Sequence, residues 1–204
     1  MRGAVSLFAL ACLAMAAISV ATSACGGDAN PYPQPPSGFD PIVAASTPSP
    51  EPPPPLDLAG AGGPSLDMMV TKSMLYAAGM KHGVNPFLVM GLAWHESGWQ
   101  SSVVSSAGAV GIMQVMPATA AVDGPELLGR RVDLYDPADN IDLGTAILRH
   151  NLDHWQNDLA KALCAYYAGG GAVTDWAGMR ADCKRYVWAV YNAAIMFKQG
   201  RGPA

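Results

Sequence analysis

Proline is distributed very unevenly along this chain, and its distribution divides the chain into parts. Twelve of the 17 prolines lie between Pro31 and Pro64. Because proline lacks a backbone N–H and clashes with the preceding helical turn, this stretch is excluded from helices and from the centre of a sheet. We expect an extended, polyproline-II-like segment there, disordered and without a packed core, and a folded domain after it.

Residues 65–204 have the length of a single domain with its own core. Their charges are balanced, since residues 66–204 hold 12 acidic and 11 basic side chains, a net charge of −1. This balance argues against a nucleic-acid-binding protein, which normally carries a basic face. Charged residues make up 14% of the whole chain and hydrophobic residues 50%, a composition that favours a packed domain.

The N-terminus has the pattern of an export signal. Arg2 precedes an apolar run over residues 4–21, matching the charged and hydrophobic regions of a signal peptide. Residues 22–24 are small and stand directly before Cys25. This arrangement resembles a bacterial lipobox, in which the cysteine is acylated and becomes the new N-terminus. Thr22 departs from that pattern, which prefers Leu, Val or Ile at this position.

We therefore assign residues 1–24 to a signal peptide, residues 25–64 to a Pro-rich linker that begins at a lipidated Cys25, and residues 65–204 to the folded domain. Plain secretion and a retained apolar anchor are the alternatives, because the run approaches the length that spans a bilayer. All three place the domain outside the cytoplasm. At about 3.1 Å per residue, the linker would extend about 120 Å and hold the domain away from its membrane.

Two cysteines remain for the domain. Cys12 lies in the signal peptide and Cys25 is the lipidation site, which leaves Cys164 and Cys183. In an oxidising compartment such a pair favours a disulfide, worth about 3 kcal/mol for a loop of this length. Two buried free thiols are the alternative. The chain shows no Cys or His spacing typical of a metal site, so we expect neither a metal nor a cofactor.

The signals beyond residue 64 are those of helices. Ser65 is a possible cap for a first helix. Asn85-Pro86 and Asp136-Pro137 each combine an N-cap residue with proline at the first helical position. Apolar spacing predicts further helices over residues 158–168 and 182–198. No alternating pattern predicts a strand, so we expect a small all-α domain of five to seven helices.

One carboxyl occupies an unusual position in the second of these helices. Leu88, Leu92 and Glu96 are four residues apart, so Glu96 continues an apolar stripe. Burial raises the pKa of a carboxyl, and a carboxylic acid that keeps its proton near neutral pH can act as a general acid. A solvated glutamate at a helix end is the alternative.

Two glycine-rich segments follow this helix. Residues 105–117 form a glycine-interrupted loop, in which the backbone can approach a ligand closely. Residues 165–171 end a helix with Tyr166 and Tyr167 in front of three glycines. An aromatic face with a polar tip suits a sugar, although a simple turn and core tyrosines are the alternatives.

Taken in order, these segments resemble the soluble lytic transglycosylase domain, a lysozyme-like family related to goose-type lysozyme. The resemblance covers about residues 68–197. Its blocks are Glu-Ser-Gly at residues 96–98, Ala-Gly-Ala-x-Gly-x-Met-Gln-x-Met-Pro at 107–117, Asp-Pro-x-x-Asn-Ile at 136–141, Ala-Tyr-x-Ala-Gly at 165–169 and Tyr-Val-x-x-Val at 186–190. Tyr167 stands where the family usually has asparagine.

The resemblance implies a lysozyme-like helical fold with a glycan-binding cleft. It also implies cleavage of the β-1,4 bond between N-acetylmuramic acid and N-acetylglucosamine in peptidoglycan, with formation of 1,6-anhydro-N-acetylmuramic acid. Glu96 would act first as general acid and then as base. The side chains implied to bind substrate are Ser97, Met113, Gln114, Tyr166 and Tyr186, for several of which ordinary core packing is the alternative.

The expected partners are the glycan strands of peptidoglycan and, through the lipid on Cys25, a membrane; no nucleic acid is expected, and the chain is expected to be a monomer. In a cell with two membranes the domain would face the periplasm from the outer one. Two other functions remain open. One is a muramidase that hydrolyses the same bond with water, and the other is a non-catalytic peptidoglycan-binding module, which the replacement at Tyr167 favours.

Overall fold

The computed structural model describes residues 32–36, 38–43 and 64–202. The expected signal peptide, Cys25 and most of the expected linker lie outside these residues. Six α-helices are present in the described part: α1 (Pro64–His82), α2 (Pro86–Ser97), α3 (Pro117–Leu128), α4 (Pro137–His154), α5 (Leu159–Ala168) and α6 (Ala181–Lys198). Ser65, expected to precede α1, lies inside it.

Regular β-structure is confined, over the described residues, to three isolated bridges. Two short 3₁₀ turns, Gly170–Ala172 and Trp176–Gly178, connect α5 to α6. The expected all-α fold class is therefore confirmed. Within the described ranges, none of the helices combines the length and the apolar character that crossing a membrane requires.

Local signals account for the helix starts. Oδ1 of Asn85 accepts a hydrogen bond from the N–H of Phe87 at 3.1 Å, and Pro86 is the first residue of α2. Asp136 has the same role for α4, since its Oδ1 accepts from the N–H of Asp139 at 2.9 Å. Each cap satisfies a backbone N–H that has no partner within the helix.

Helices α2 and α6 pack closely against each other. Gly91 of α2 permits the close approach, because a Cβ added there would lie 2.7 Å from the backbone nitrogen of Ala194 and 2.8 Å from the carbonyl oxygen of Val190. Such distances leave no room for a side chain. This contact sets the register of the two helices, and it brings the C-terminal end of α2 beside Tyr186 of α6.

Helices α5 and α6 are joined by a disulfide between Cys164 and Cys183, the pair expected from the sequence. Their Cα atoms are 5.2 Å apart, and both residues are fully buried. Cys164 precedes Tyr166 by two residues, and Cys183 precedes Tyr186 by three. The bond therefore links the two helices that carry the expected site tyrosines.

Part of the expected linker lies against the domain. We call residues 32–36 and 38–43 the N-terminal clasp. Phe39 is 7% exposed, and its ring meets the ring of Tyr191 edge-on with the centroids 5.8 Å apart. Ile42 forms an antiparallel bridge with Val84. Here the structure differs from the expectation of an unpacked segment, because these apolar side chains interrupt the prolines and can be buried.

Candidate active site

Glu96 lies in the last turn of α2, on the side that carries Leu88 and Leu92. Both leucines are fully buried, whereas Glu96 keeps some exposure. Burial of its carboxyl raises the pKa from 4.5 to about 7, although a hydrogen bond from the hydroxyl of Tyr186 acts in the opposite direction. Near neutral pH the carboxyl is therefore populated in both protonation states, which suits a group that donates and takes back a proton.

Tyr186 is the direct partner of this carboxyl. It is 4% exposed, and its hydroxyl donates to Oε1 of Glu96. The ring of Tyr167 stacks on the ring of Tyr186, with the centroids 4.7 Å apart and the planes 24° apart. The ring of His95 meets Tyr186 edge-on at 5.0 Å, and burial lowers the pKa of His95. Two rings therefore hold Tyr186 in position, and the lowered pKa favours the uncharged form of His95.

The loop between α2 and α3 is fastened to α2 next to Glu96. The hydroxyl of Ser97 donates to the carbonyl oxygen of Ile112 at 2.8 Å. The side-chain amide of Gln114 donates to two carbonyl oxygens of the same loop, at 2.9 and 3.1 Å. Ser97 thus ties the loop to α2, and Gln114 closes the loop on itself.

Asn140 of α4 holds the same loop from the other side. Its Oδ1 accepts from the N–H of Met113 at 2.8 Å, and its Nδ2 donates to the carbonyl oxygens of Val110 at 2.8 Å and Leu134 at 3.0 Å. Gly111 has a φ of 75°, and a Cβ there would lie 2.6 Å from Nδ2 of Asn140. Glycine is therefore required both by the backbone conformation and by the space that the asparagine occupies.

Tyr166 connects α5 to this loop. Its hydroxyl donates to the carbonyl oxygen of Met113 at 2.9 Å. The side chain of Met113 is fully buried, and a Cβ on Gly144 would lie only 2.5 Å from its Cβ. Met113 is thus packed on α4, while its backbone joins the loop to Tyr166.

The structure brings together the side chains that the resemblance implies. Glu96 and Tyr186 are hydrogen-bonded to each other, and Ser97 and Tyr166 hold the adjacent loop. Met113 and Gln114 are 0% and 8% exposed. Met113 packs on α4, and Gln114 hydrogen-bonds within its own loop. Direct contact of these two side chains with a sugar stays a prediction. The expected lipidation site lies outside the described residues.

Three residues of the site were not assigned these roles from the sequence: His95, Tyr167 and Asn140. His95 stands beside Glu96 in the sequence, but only the packing of α6 shows that its ring contacts Tyr186. Tyr167 is visible in the sequence as a departure from the family pattern, without indicating a stack. For Asn140 a signal exists, since an asparagine on the buried side of a helix must find hydrogen-bond partners.

Several aspartates downstream of Glu96 have structural roles. Asp136 caps α4, and Asp133 and Asp139 accept hydrogen bonds from the backbone N–H groups of Tyr135 and Asp133, in the loop before α4. Asp123 of α3 is buried, and burial raises its pKa. Among the described residues it is therefore the carboxyl to compare with Glu96 in any experiment on proton transfer.

Fold and site together define a small, lysozyme-like helical domain with one tyrosine-bound glutamate at the end of its second helix. Residues 73–188 match the family model described as the transglycosylase SLT domain. The chain belongs to this family, which confirms the resemblance inferred from the sequence.

Curated relatives show similarity over the same region. The chain is 36% identical over 127 residues to the transglycosylase of Enterobacteria phage PRD1, covering 62% of this chain and 44% of that protein. It is 34% identical over 120 residues to the soluble lytic murein transglycosylase of Escherichia coli, covering 55% and 18%. It is 40% identical over 105 residues to the membrane-bound lytic murein transglycosylase C of Actinobacillus pleuropneumoniae serotype 5b, covering 46% and 29%. The matched region thus spans less than half the length of each.

Solved structures show the same fold. The 70 kDa soluble lytic transglycosylase of Escherichia coli matches with a TM-score of 0.57 and 25% identity, over 64% of this chain and 24% of that chain. An inactive mutant of the lytic transglycosylase Slt of Pseudomonas aeruginosa matches with a TM-score of 0.56 and 24% identity, over 66% and 25%.

Proposed function

We propose that this protein is a peptidoglycan lytic transglycosylase, which cleaves the β-1,4 bond between N-acetylmuramic acid and N-acetylglucosamine and leaves a 1,6-anhydro ring on the muramic acid. The observation that carries the proposal is the state of Glu96, whose pKa burial raises to about 7 while Tyr186 hydrogen-bonds to it. The names of the relatives, which are murein transglycosylases, support the same reaction.

In the first step Glu96, in its protonated form, transfers its proton to the glycosidic oxygen. The bond between that oxygen and C1 of the muramic acid breaks, and the carbonyl oxygen of the substrate's own N-acetyl group stabilises the positive charge at C1. This assistance by the substrate takes the place of the second carboxylate that most glycosidases use. A raised pKa is what allows Glu96 to hold the proton at neutral pH.

In the second step Glu96, now a carboxylate, removes the proton from the 6-hydroxyl of the same sugar. The freed oxygen attacks C1, displaces the N-acetyl oxygen and closes the anhydro ring. Glu96 regains its proton, and no water is consumed. The hydrogen bond from Tyr186 stabilises the carboxylate between the two steps, since it favours the charged form.

The products test this proposal. Purified peptidoglycan is digested with the full chain, and the fragments are analysed by mass spectrometry; we expect anhydro-ended muropeptides, each lighter by one water than its hydrolytic counterpart. Reducing ends in their place would identify a hydrolytic muramidase on the same scaffold.

A substitution tests the role of the carboxyl. Glu96→Gln keeps the shape of the side chain but cannot donate the proton, so we expect turnover to fall by a factor of about 10² or more while glycan binding remains. Asp123→Asn is the matched control, because among the described residues Asp123 is a second carboxyl whose pKa burial raises, and the variant should leave the product pattern unchanged. Full turnover by Glu96→Gln would refute the assignment of Glu96 as the proton donor, whereas glycan binding without turnover by the unaltered protein would support a non-catalytic peptidoglycan-binding module.

We also propose that the protein is a monomeric lipoprotein of the cell envelope, exported by residues 1–24 and anchored through Cys25. The membrane-bound transglycosylase C relatives support an envelope location. Cys25→Ser should move the full chain from the membrane fraction to the soluble fraction. Continued membrane association of this variant would favour an apolar anchor that is not removed.

A further inference from the structure

The N-terminal clasp is hydrogen-bonded to the connection between α1 and α2. The N–H of Asn85 donates to the carbonyl oxygen of Pro41 at 2.8 Å, and the N–H of Val43 donates to the carbonyl oxygen of Gly83 at 3.2 Å. The side-chain Nδ2 of Asn85 also donates to the carbonyl oxygen of Asp40 at 2.9 Å. One residue, Asn85, therefore caps α2 and holds the clasp.

Apolar and aromatic contacts attach the clasp to α6. Phe39 is buried against Tyr191, and the indole Nε1 of Trp188 donates to the carbonyl oxygen of Pro33 at 2.6 Å. The rings of Trp188 and Tyr191 meet edge-on at 5.4 Å. The clasp is thus bound at both ends, near Pro33 and near Val43, by contacts of different kinds.

The position of the clasp leaves the candidate active site uncovered. Trp188 follows Tyr186 by two residues, which corresponds to about 200° around a helix, so the clasp and Glu96 contact opposite faces of α6. Asn85 stands at the start of α2, whereas Glu96 is in its last turn. A role as an autoinhibitory strap is therefore not indicated.

We propose that the clasp fixes the point at which the chain leaves the domain, and that it holds the domain close to the membrane. This inference rests on the lipidation of Cys25 proposed above. Six residues lie between Cys25 and Tyr32, and the seven Cα–Cα steps that join these two residues span at most about 25 Å when fully extended. The docked clasp thus limits the distance between the membrane and the domain to about 25 Å, whereas the whole Pro-rich stretch would extend about 120 Å if it were free.

Residues 44–63 do not add to this reach, because both of their ends are attached to the domain. Val43 is paired with Gly83 at the C-terminal end of α1, and Pro64 begins α1. The 19 residues of α1 measure about 28 Å from end to end, which is about the distance that residues 44–63 must cover. A chain of this length can extend up to about 70 Å. The length of this segment is therefore sufficient to connect the clasp to α1.

Hydrogen exchange of the full chain, read by mass spectrometry, tests the clasp independently of the lipid. We expect the amides of Ile42 and Val43, which donate to Asp40 and Gly83, to exchange at least about tenfold more slowly than in an unstructured chain. The double variant Phe39→Ala, Trp188→Phe removes the buried ring and the indole donor and should abolish this protection. Exchange of the Ile42 and Val43 amides at the unstructured rate in the unaltered protein would overturn the proposal.

Matched insertions test the reach. A flexible Gly/Ser insert of about 20 residues, which adds about 25 Å, is placed either after Asp28 or after Pro54. The lipidated chain carries a fluorophore at its C-terminus and is bound to vesicles of phosphatidylethanolamine and phosphatidylglycerol that contain an acceptor dye. We expect energy transfer to decrease with the first insert and to stay unchanged with the second.

The double variant Phe39→Ala, Trp188→Phe supplies the control for the insertions. With the clasp released, the insert after Pro54 should decrease energy transfer as well. An equal decrease from both inserts in the presence of the unaltered clasp would overturn the proposal. If the chain does not bind the vesicles, the anchoring part fails together with the proposed lipidation, whereas the exchange measurement still decides whether the clasp is docked.

Discussion

The ionisation of Glu96 lowers the stability of the folded protein. Its folded-state pKa of about 7 lies above the ordinary value of 4.5. A carboxyl with a raised folded pKa contributes stability that is fully present below its unfolded pKa and is lost as the pH rises through the folded one. The burial that suits proton transfer therefore destabilises the ionised form of the protein.

This coupling predicts that Glu96→Gln stabilises the protein at high pH. Glutamine carries no charge, so the difference in the free energy of unfolding between variant and wild type should grow by about 3 kcal/mol in favour of the variant between pH 4 and pH 8. Denaturant unfolding at both pH values measures it. Tyr186→Phe removes the hydrogen bond that lowers the pKa of Glu96, so its free energy of unfolding should fall more steeply with rising pH than that of the wild type. A difference between Glu96→Gln and wild type that stays the same at pH 4 and pH 8 would contradict the prediction.

Tyr167 lies one contact further from the carboxyl of Glu96. The ring of Tyr167 stacks on the ring of Tyr186, which is hydrogen-bonded to Glu96. We therefore expect Tyr167 to position the carboxyl through an aromatic contact worth about 0.5–1.5 kcal/mol. Tyr167→Phe keeps the ring and should retain activity and its pH profile. Tyr167→Ala should lower turnover by up to about tenfold and shift the pH profile. Tyr167→Asn, which restores the family residue, should resemble the alanine variant in the pH profile if stacking is what matters.

At the element scale, the starts of the helices were predictable because their signals are local. Asn85 and Asp136 each bind an N–H two or three residues away, and this geometry is the same in any fold. The Leu88–Leu92–Glu96 stripe was predictable for the same reason. Which helix covers this stripe was not, since the contact of Gly91 with α6 joins segments about 100 residues apart.

The amino-acid composition did not predict that the N-terminal clasp packs against the domain. A proline-rich stretch predicts an extended backbone, and the clasp lacks helix and extended strands, with one bridge at Ile42. Composition alone does not indicate whether an extended segment finds a partner. The buried ring of Phe39 and the backbone bonds to Asn85 decide this, and both depend on the folded domain.

The disulfide between Cys164 and Cys183 links α5 and α6. Cys164 and Cys183 close a loop with a sequence separation of 19, so replacing both by alanine should lower stability by about 3 kcal/mol. For a domain of this size the unfolding temperature would fall by about 6–12 °C. Calorimetry measures the change, with reductant-treated wild type as the control. Free thiols at Cys164 and Cys183, detected after denaturation of protein that has not been treated with reductant, would show that the bond is absent.

At the scale of the whole molecule, one carboxylate joins parts of the domain that are distant in sequence. Asp142 of α4 binds Nζ of Lys81 and Nε2 of His82 at 2.7 Å each, and Nη2 of Arg130 at 3.2 Å. Its side chain is 14% exposed. The end of α1, the start of α4 and the loop that precedes α4 therefore meet at Asp142, on elements other than those that carry Glu96 and its tyrosine.

The charge of Asp142 makes the stability of the domain depend on pH. Burial acts to raise its pKa, but hydrogen bonds from His82 and Lys81 prevail and lower it. The resulting stability is present above the unfolded pKa of about 3.9 and is lost as the pH falls through the folded value. Asp142→Asn should therefore cost about 2 kcal/mol at pH 7 and progressively less in acid, as measured by denaturant unfolding. Asp153→Asn removes a more exposed partner of Arg149 and should cost under about 1 kcal/mol; equal costs for both variants would show that Asp142 is an ordinary surface charge.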